Sequence, residues 1–239
     1  MELIFREDAY ARACEATVEK IDEKGVWLDR TVFYAEGGGQ PGDAGVLVRP
    51  DGTELVVVNA IKGDGPDTSV CVPAEGAGGL DVGDQVVARL DWTRRHKLMR
   101  MHTALHLLCA AVPAGVTGGQ VGEAKSRLDF DVGEMTLVKE DIQAALDAAT
   151  AKDAAVRYRW IDDAELDANP DLVRTMSVAP PRGGGRVRLV EIGGGAVDLQ
   201  PCGGTHVKDV SEIGRIVVGK IENKGKRNRR VNITLEDPA

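Results

Sequence analysis

Residues 1–92 carry Val- and Ile-rich runs in partial alternation with polar positions, the two-residue period of a half-buried strand. The runs lie at 26–34, 53–63 and 84–92. Turn-forming segments separate them: EGGGQPGDAG at 36–45, RPDGT at 49–53 and a Gly-rich loop at 73–84. Short strands with frequent turns predict a small barrel or sandwich. The period changes at Thr93. Apolar residues or histidines at 98, 101, 102, 105, 108, 109 and 112 follow helical spacing, with Thr93 as N-cap and Pro113 as the stop. A β domain over 1–92 and a second domain over 93–239 are therefore expected. The second opens on that helix and a Gly turn at 117–126. Strands are predicted at 127–132, 154–161, 186–192, 214–222 and 229–236, a helix at 139–153 and an irregular or helical excursion at 162–176. That mixture is α+β.

Composition adds limits. The 239 residues are 43% apolar but only 4% aromatic, so the cores must rely on aliphatic side chains. No stretch approaches the ~20 apolar residues of a membrane helix. The N-terminus carries charges too early and too often for a secretory signal, which makes the cytoplasm the default location. Cys14, Cys71, Cys109 and Cys202 form no CxxC pair and no disulfide framework, so reduced thiols are expected. The net charge of -8 argues against a generally basic nucleic-acid coat, though not against a local patch.

Three of the four histidines fall in two short motifs. His102 and His106 form HTALH on the predicted helix, where residues four apart share a face. Cys202 and His206 form CGGTH, whose two glycines let the chain bend between the ends. Neutral imidazoles and a thiolate at tetrahedral geometry favour zinc, one ion per chain. Four protein ligands fit a closed structural site. A catalytic site keeps one position open, and spacing alone leaves both roles standing. His96 is left over as a surface or RNA-facing residue.

HTALHLL with LQPCGGTHV resembles the second additional domain, the editing module, of alanyl- and threonyl-tRNA synthetases. FYAEGGGQPGDAG at 33–45 resembles the Gly-rich motif that precedes this module in alanyl-tRNA synthetase. Both pieces without an aminoacylation domain resemble the free-standing alanyl-tRNA editing proteins of the AlaX type, medium-length class. TGGQVGEAKSRLDFD (117–131) and the stretch 210–231 also fit. The resemblance implies a small N-terminal β-barrel followed by an α+β editing domain. It implies zinc at His102, His106, Cys202 and His206, and hydrolysis of tRNA(Ala) mischarged with serine, with glycine as a second candidate. The sequence departs from the family at Leu105, a position often polar there. That leaves Thr103, Gln120 and Thr205 as groups to read a serine hydroxyl.

Cys202, His206 and Gln120 are accordingly the expected catalytic residues. Thr103, Thr205, Gln40 and Asp43 are the expected pocket residues, the last two from the Gly-rich segment, which otherwise reads as a wide turn. That segment lacks the GKS/T ending of a P-loop, so ATP is not expected. HTALH contains no acid to act as general base, unlike HExxH, which favours a metal that orients substrate over one that activates water. Arg94, Arg95 and Lys97, with Arg100, precede or open the metal helix. Lys220, Lys224, Lys226, Arg227, Arg229 and Arg230 crowd the C-terminus with Glu222 the one acid among them. Both runs are candidate tRNA contacts, and the chain is expected to act as a monomer.

Overall fold

The computed structural model describes residues 1–65, 67–151, 153–176 and 185–237. The chain divides into two compact units. The first comprises Met1–Gly37 and Pro41–His96, the second Gly38–Gln40 and Lys97–Ala239.

The first unit is a closed six-stranded antiparallel barrel. A short parallel pair lies outside it, β1 (Glu2–Leu3) with β4 (Arg30–Thr31). The barrel strands are β2 (Ala13–Asp22), β3 (Gly25–Leu28), β5 (Gly45–Val48), β6 (Glu54–Ile61), β7 (Val70–Pro73) and β8 (Gln85–Leu90). Their order around the barrel is β2-β3-β7-β6-β5-β8, which leaves no free edge. Alternation is plain in β8, where Val86, Ala88 and Leu90 point inward between exposed neighbours. The interior packs Val18, Leu28, Phe33, Leu47, Val57 and Ala88. Strand β2 escapes the pattern reading because Glu15, Glu19 and Lys20 mask its inward residues. The run at 26–34 is not one strand: it breaks at Asp29, whose carboxylate accepts from Thr17 N (2.7 Å).

Helix α1 (Trp92–Ala111) starts two residues before the sequence suggests. Its cap is Asp91, not Thr93: Asp91 Oδ1 accepts from Arg94 N (3.0 Å), and its carbonyl accepts the first helical bond, from Arg95 N. From Leu98 to Cys109 every residue is buried, so this helix is surrounded by protein on all sides.

The second unit adds β9 (Gly115–Gln120), β10 (Ser126–Asp131), α2 (Lys139–Thr150), β11 (Val156–Asp162), α3 (Asp163–Ala168), β12 (Arg186–Ile192), β13 (Asp198–Pro201), β14 (Arg215–Asn223) and β15 (Asn228–Glu236). One sheet has the order β14-β15-β10-β9 and the other β11-β12-β13. Helix α2 ends at Thr150; the last part of the predicted 139–153 helix includes Lys152, outside the described residues. Gln143 fixes α2 to β14 by donating to Ile216 O (2.7 Å) and accepting from Val218 N (2.8 Å). The architecture is α+β after a β-barrel, as expected from the sequence. No helix is long and apolar enough to cross a membrane among the described residues.

Candidate metal centre

His102 and His106 are presented by one face of α1. Cys202 and His206 follow β13 on a segment without regular structure. The bend between them depends on Gly204. A Cβ there would overlap the His102 ring and sit 2.8 Å from Gln40 Oε1. Arg188 holds this loop. Its Nε donates to Cys202 O (3.1 Å) and its Nη2 to Gly204 O, while its guanidinium lies 4.2 Å from the centre of the Tyr158 ring. Tyr158 in turn accepts from His206 N through its hydroxyl (3.2 Å).

One nitrogen of each histidine and Cys202 Sγ converge within 4.8 Å of one another, so the quartet could hold a metal ion. Sγ lies 3.5 Å from His102 Nε2 and 3.4 Å from His206 Nε2. The outer nitrogens settle the tautomers. Gln40 Oε1 meets His102 Nδ1 (2.7 Å), and because that oxygen also accepts from the backbone Thr205 N (3.1 Å), Nδ1 must be the donor. Asp198 Oδ2 accepts from His106 Nδ1 (2.8 Å). Thr103 gives its only proton to Met99 O (2.9 Å), so its oxygen accepts from His206 Nδ1 (3.2 Å). All three rings therefore keep a proton on Nδ1 and turn Nε2 inward, the nitrogen that a bound metal would take up in place of a proton.

Without an ion the four groups perturb one another. Burial would raise the Cys202 thiol, but the charges of His102 and His206 and their hydrogen bonds bring it well below the ordinary thiol range. Burial disfavours the His106 imidazolium, yet its bonds to Asp198 and Cys202 carry it up to about 10. Burial, with the His102 charge beside it, keeps His206 well below the usual imidazole value.

Residues 187–232 match the second additional domain of threonyl and alanyl tRNA synthetases, and residues 7–94 match class II (A) tRNA synthetases. The chain is 35% identical to the alanine–tRNA ligase of Pyrobaculum calidifontis over 92% of its own length but 25% of the ligase. It is 34% identical to the alanyl-tRNA editing protein AlaX-M of Saccharolobus solfataricus, over 98% of this chain and 99% of that one. The AlaX-M of Methanosarcina acetivorans is 39% identical over 99% of both chains. The chain belongs to the AlaX-M family of alanyl-tRNA editing proteins.

Within this AlaX-M chain the expected pocket residues separate. Thr103, Thr205 and Gln40 are buried against the quartet, with Gln40 Nε2 donating to Thr205 Oγ1 (2.9 Å). Asp43 instead sits inside the first unit. It accepts from Tyr34 N (2.6 Å) and from Arg95 Nε (2.9 and 3.0 Å) and Nη2. Arg95 is wholly buried, and it also donates to Ala9 O (2.9 Å) and Val32 O (2.7 Å), so it is not an RNA-facing residue. Arg100 is likewise turned inward, onto Ile213 O (3.1 and 2.9 Å). Arg94 donates to Gly42 O (2.6 Å) and Lys97 is exposed.

Gln120 stands exposed at the end of β9, where it accepts from Arg127 Nε (3.2 Å), and it is not among the groups bonded to the quartet. The C-terminal basic run is less cationic than its sequence suggests. Strand β10 lies beside β15, so Asp129 takes a bidentate bond from Arg230 (2.7 and 2.8 Å) and Asp131 pairs with Arg227 (2.9 Å). Glu222 pairs with Lys224 (3.4 Å). Lys226, Arg227 and Arg229 line a cleft of about 620 Å³ with Met135, Leu137 and Ile221. Lys220 lies on β14. Asp198, Arg188 and Tyr158 went unnoticed in the sequence because no spacing rule connects them to the two motifs.

Proposed function

We propose that this protein is a cytoplasmic, zinc-dependent trans-editing hydrolase that deacylates tRNA(Ala) mischarged with serine. The observation that carries this reading is the convergence of three Nε2 atoms and one thiol in a chain of the AlaX-M family. Zinc fits the donor set. Tetrahedral bonds of about 2.3 Å to sulfur and 2.0–2.1 Å to nitrogen put those atoms roughly 3.5 Å apart, and the two Sγ···Nε2 separations are 3.5 and 3.4 Å. His102, His106, Cys202 and His206 would hold one ion, which when bound supplies a Lewis acid to orient the substrate's amine or hydroxyl.

The protein's own groups prepare the site for that role. The carboxylate bonded to the quartet, Asp198, is taken by His106 Nδ1–H and by Gln200 Nε2 (2.8 Å), so it is not poised as a general base. Thr205 supplies a buried hydroxyl beside the ligands, whereas that of Thr103 is already spent on Met99 O and His206 Nδ1. Discrimination follows from unpaired polar groups: a site that must bond a serine hydroxyl can disfavour alanine by as much as ~10⁴–10⁵. Ser-tRNA(Ala) should be deacylated rapidly and Ala-tRNA(Ala) no faster than without enzyme. Equal hydrolysis of the two, or of neither, refutes the assignment.

Lys220, Lys226 and Arg229 are the proposed phosphate contacts. The deacylation KM should rise steeply with salt, because each phosphate contact releases counterions. In a K226A/R229A variant the log–log salt slope should shrink by about 2, roughly one per contact. An unchanged slope removes the cleft from the tRNA path.

A further inference from the structure

Gln40 is 2% exposed, yet it belongs to a Gly-rich turn rather than to a core strand. Two backbone features hold this turn in place. Gly39 O accepts from Val121 N (2.8 Å). Gly39 also adopts φ +83°, and a Cβ there would lie 2.8 Å from Gly119 O, so the chain passes against β9 only because that side chain is missing. The Gln40 amide then makes three bonds. Oε1 accepts from His102 Nδ1 and Thr205 N, and Nε2 donates to Thr205 Oγ1. One amide thus grips a ligand of the HxxxH pair and the loop between the CxxxH pair. His106 and His206 are oriented by other groups, Asp198 and Thr103.

We propose that Gln40 is a positioning residue of the metal centre, one that fixes the His102 tautomer and the seat of the CGGTH loop and so sets metal affinity. The proposal rests on the reading that the quartet holds zinc, and is independent of which aminoacyl ester is hydrolysed. A glutamine that only contacted substrate would leave metal affinity alone and alter KM. A positioning glutamine alters metal affinity with no tRNA present.

The test titrates the metal-free full chain with Zn²⁺ against a competing chelator, and with Co²⁺ to follow the absorption of the thiolate–metal bond. Gln40→Met keeps the volume and removes the acceptor. It should weaken Zn²⁺ binding about 10–100-fold, the usual effect of losing such an outer partner. Gln40→Glu keeps an acceptor for both His102 Nδ1 and Thr205 N and should recover most of the loss. Binding by Gln40→Met within twofold of the unaltered protein overturns the proposal, and so does an equal loss in both variants, which would mean packing and not orientation. Should Gln40→Met fail to fold, long-range ¹H–¹⁵N spectra of the unaltered metal-free protein decide. At a pH where the His102 ring is neutral it should be the Nδ1–H tautomer, and a mixture of tautomers there refutes the role. None of these readouts needs deacylation, so a wrong substrate assignment would leave them untouched.

Discussion

A Cys202→Ala protein is expected to lose zinc and deacylation together. The thiolate is the only anionic donor of the quartet, and it meets all three histidines. Four-ligand zinc sites bind with about 10–16 kcal/mol, so one ligand accounts for roughly 3 kcal/mol and about 10²–10³ in affinity. Thermal melts with and without chelator should show the same thing. Ligand at a thousandfold excess over Kd adds about 4 kcal/mol of stability, and this chelator-sensitive part should vanish in the variant. Acid should weaken zinc binding as well, because protons compete for the thiolate and the imidazoles. Full activity in a demonstrably zinc-free Cys202→Ala protein would falsify the metal assignment.

The second large effect is expected at a buried pair outside the quartet. Arg95 and Asp43 form an ion pair with side chains 0% and 2% exposed. Arg95→Met would leave the Asp43 carboxylate buried without its cation and free the Ala9 and Val32 carbonyls. Breaking one side of a buried pair costs about 3–5 kcal/mol, or about 6–20 °C in Tm for a chain of this size. Adding Asp43→Asn removes the stranded charge and should return part of the loss. A change under about 1 kcal/mol in calorimetry of Arg95→Met, with an altered salt dependence of tRNA binding, would restore Arg95 to the RNA-facing surface.

These two sites differ in how far the sequence discloses them. The quartet was legible because its ligands are few, chemically distinctive and paired at four-residue spacing. Arg95 was not, since TRRHK reads as a solvated run. Helical spacing does hold a clue: position 95 lies one turn from Leu98 and Met99 and two turns from His102, all buried. The outer partners of the histidines are harder still. Asp198, Thr103 and Gln40 come from a strand, the same helix and a distant turn, and only tertiary structure brings them to the rings. The C-terminal charges illustrate the same point. Asp129 and Asp131 are a hundred positions away in sequence but across the ladder in space, where they neutralise Arg230 and Arg227. In the barrel, turn chemistry was legible, while β2 was hidden by a charged outer face.

The Gly-rich turn also bears on how the protein can be cut. Gly38–Gln40 belong to the second unit although the flanking residues belong to the first. A fragment beginning at Lys97 would carry all four candidate metal ligands and still lack the acceptor for His102. The shortest uninterrupted stretch that contains the ligands and Gln40 runs from residue 40 to 206, and it takes most of the barrel's strands with it. The two units are therefore not separable as genetic modules: a simple terminal truncation cannot deliver the quartet with Gln40 in place.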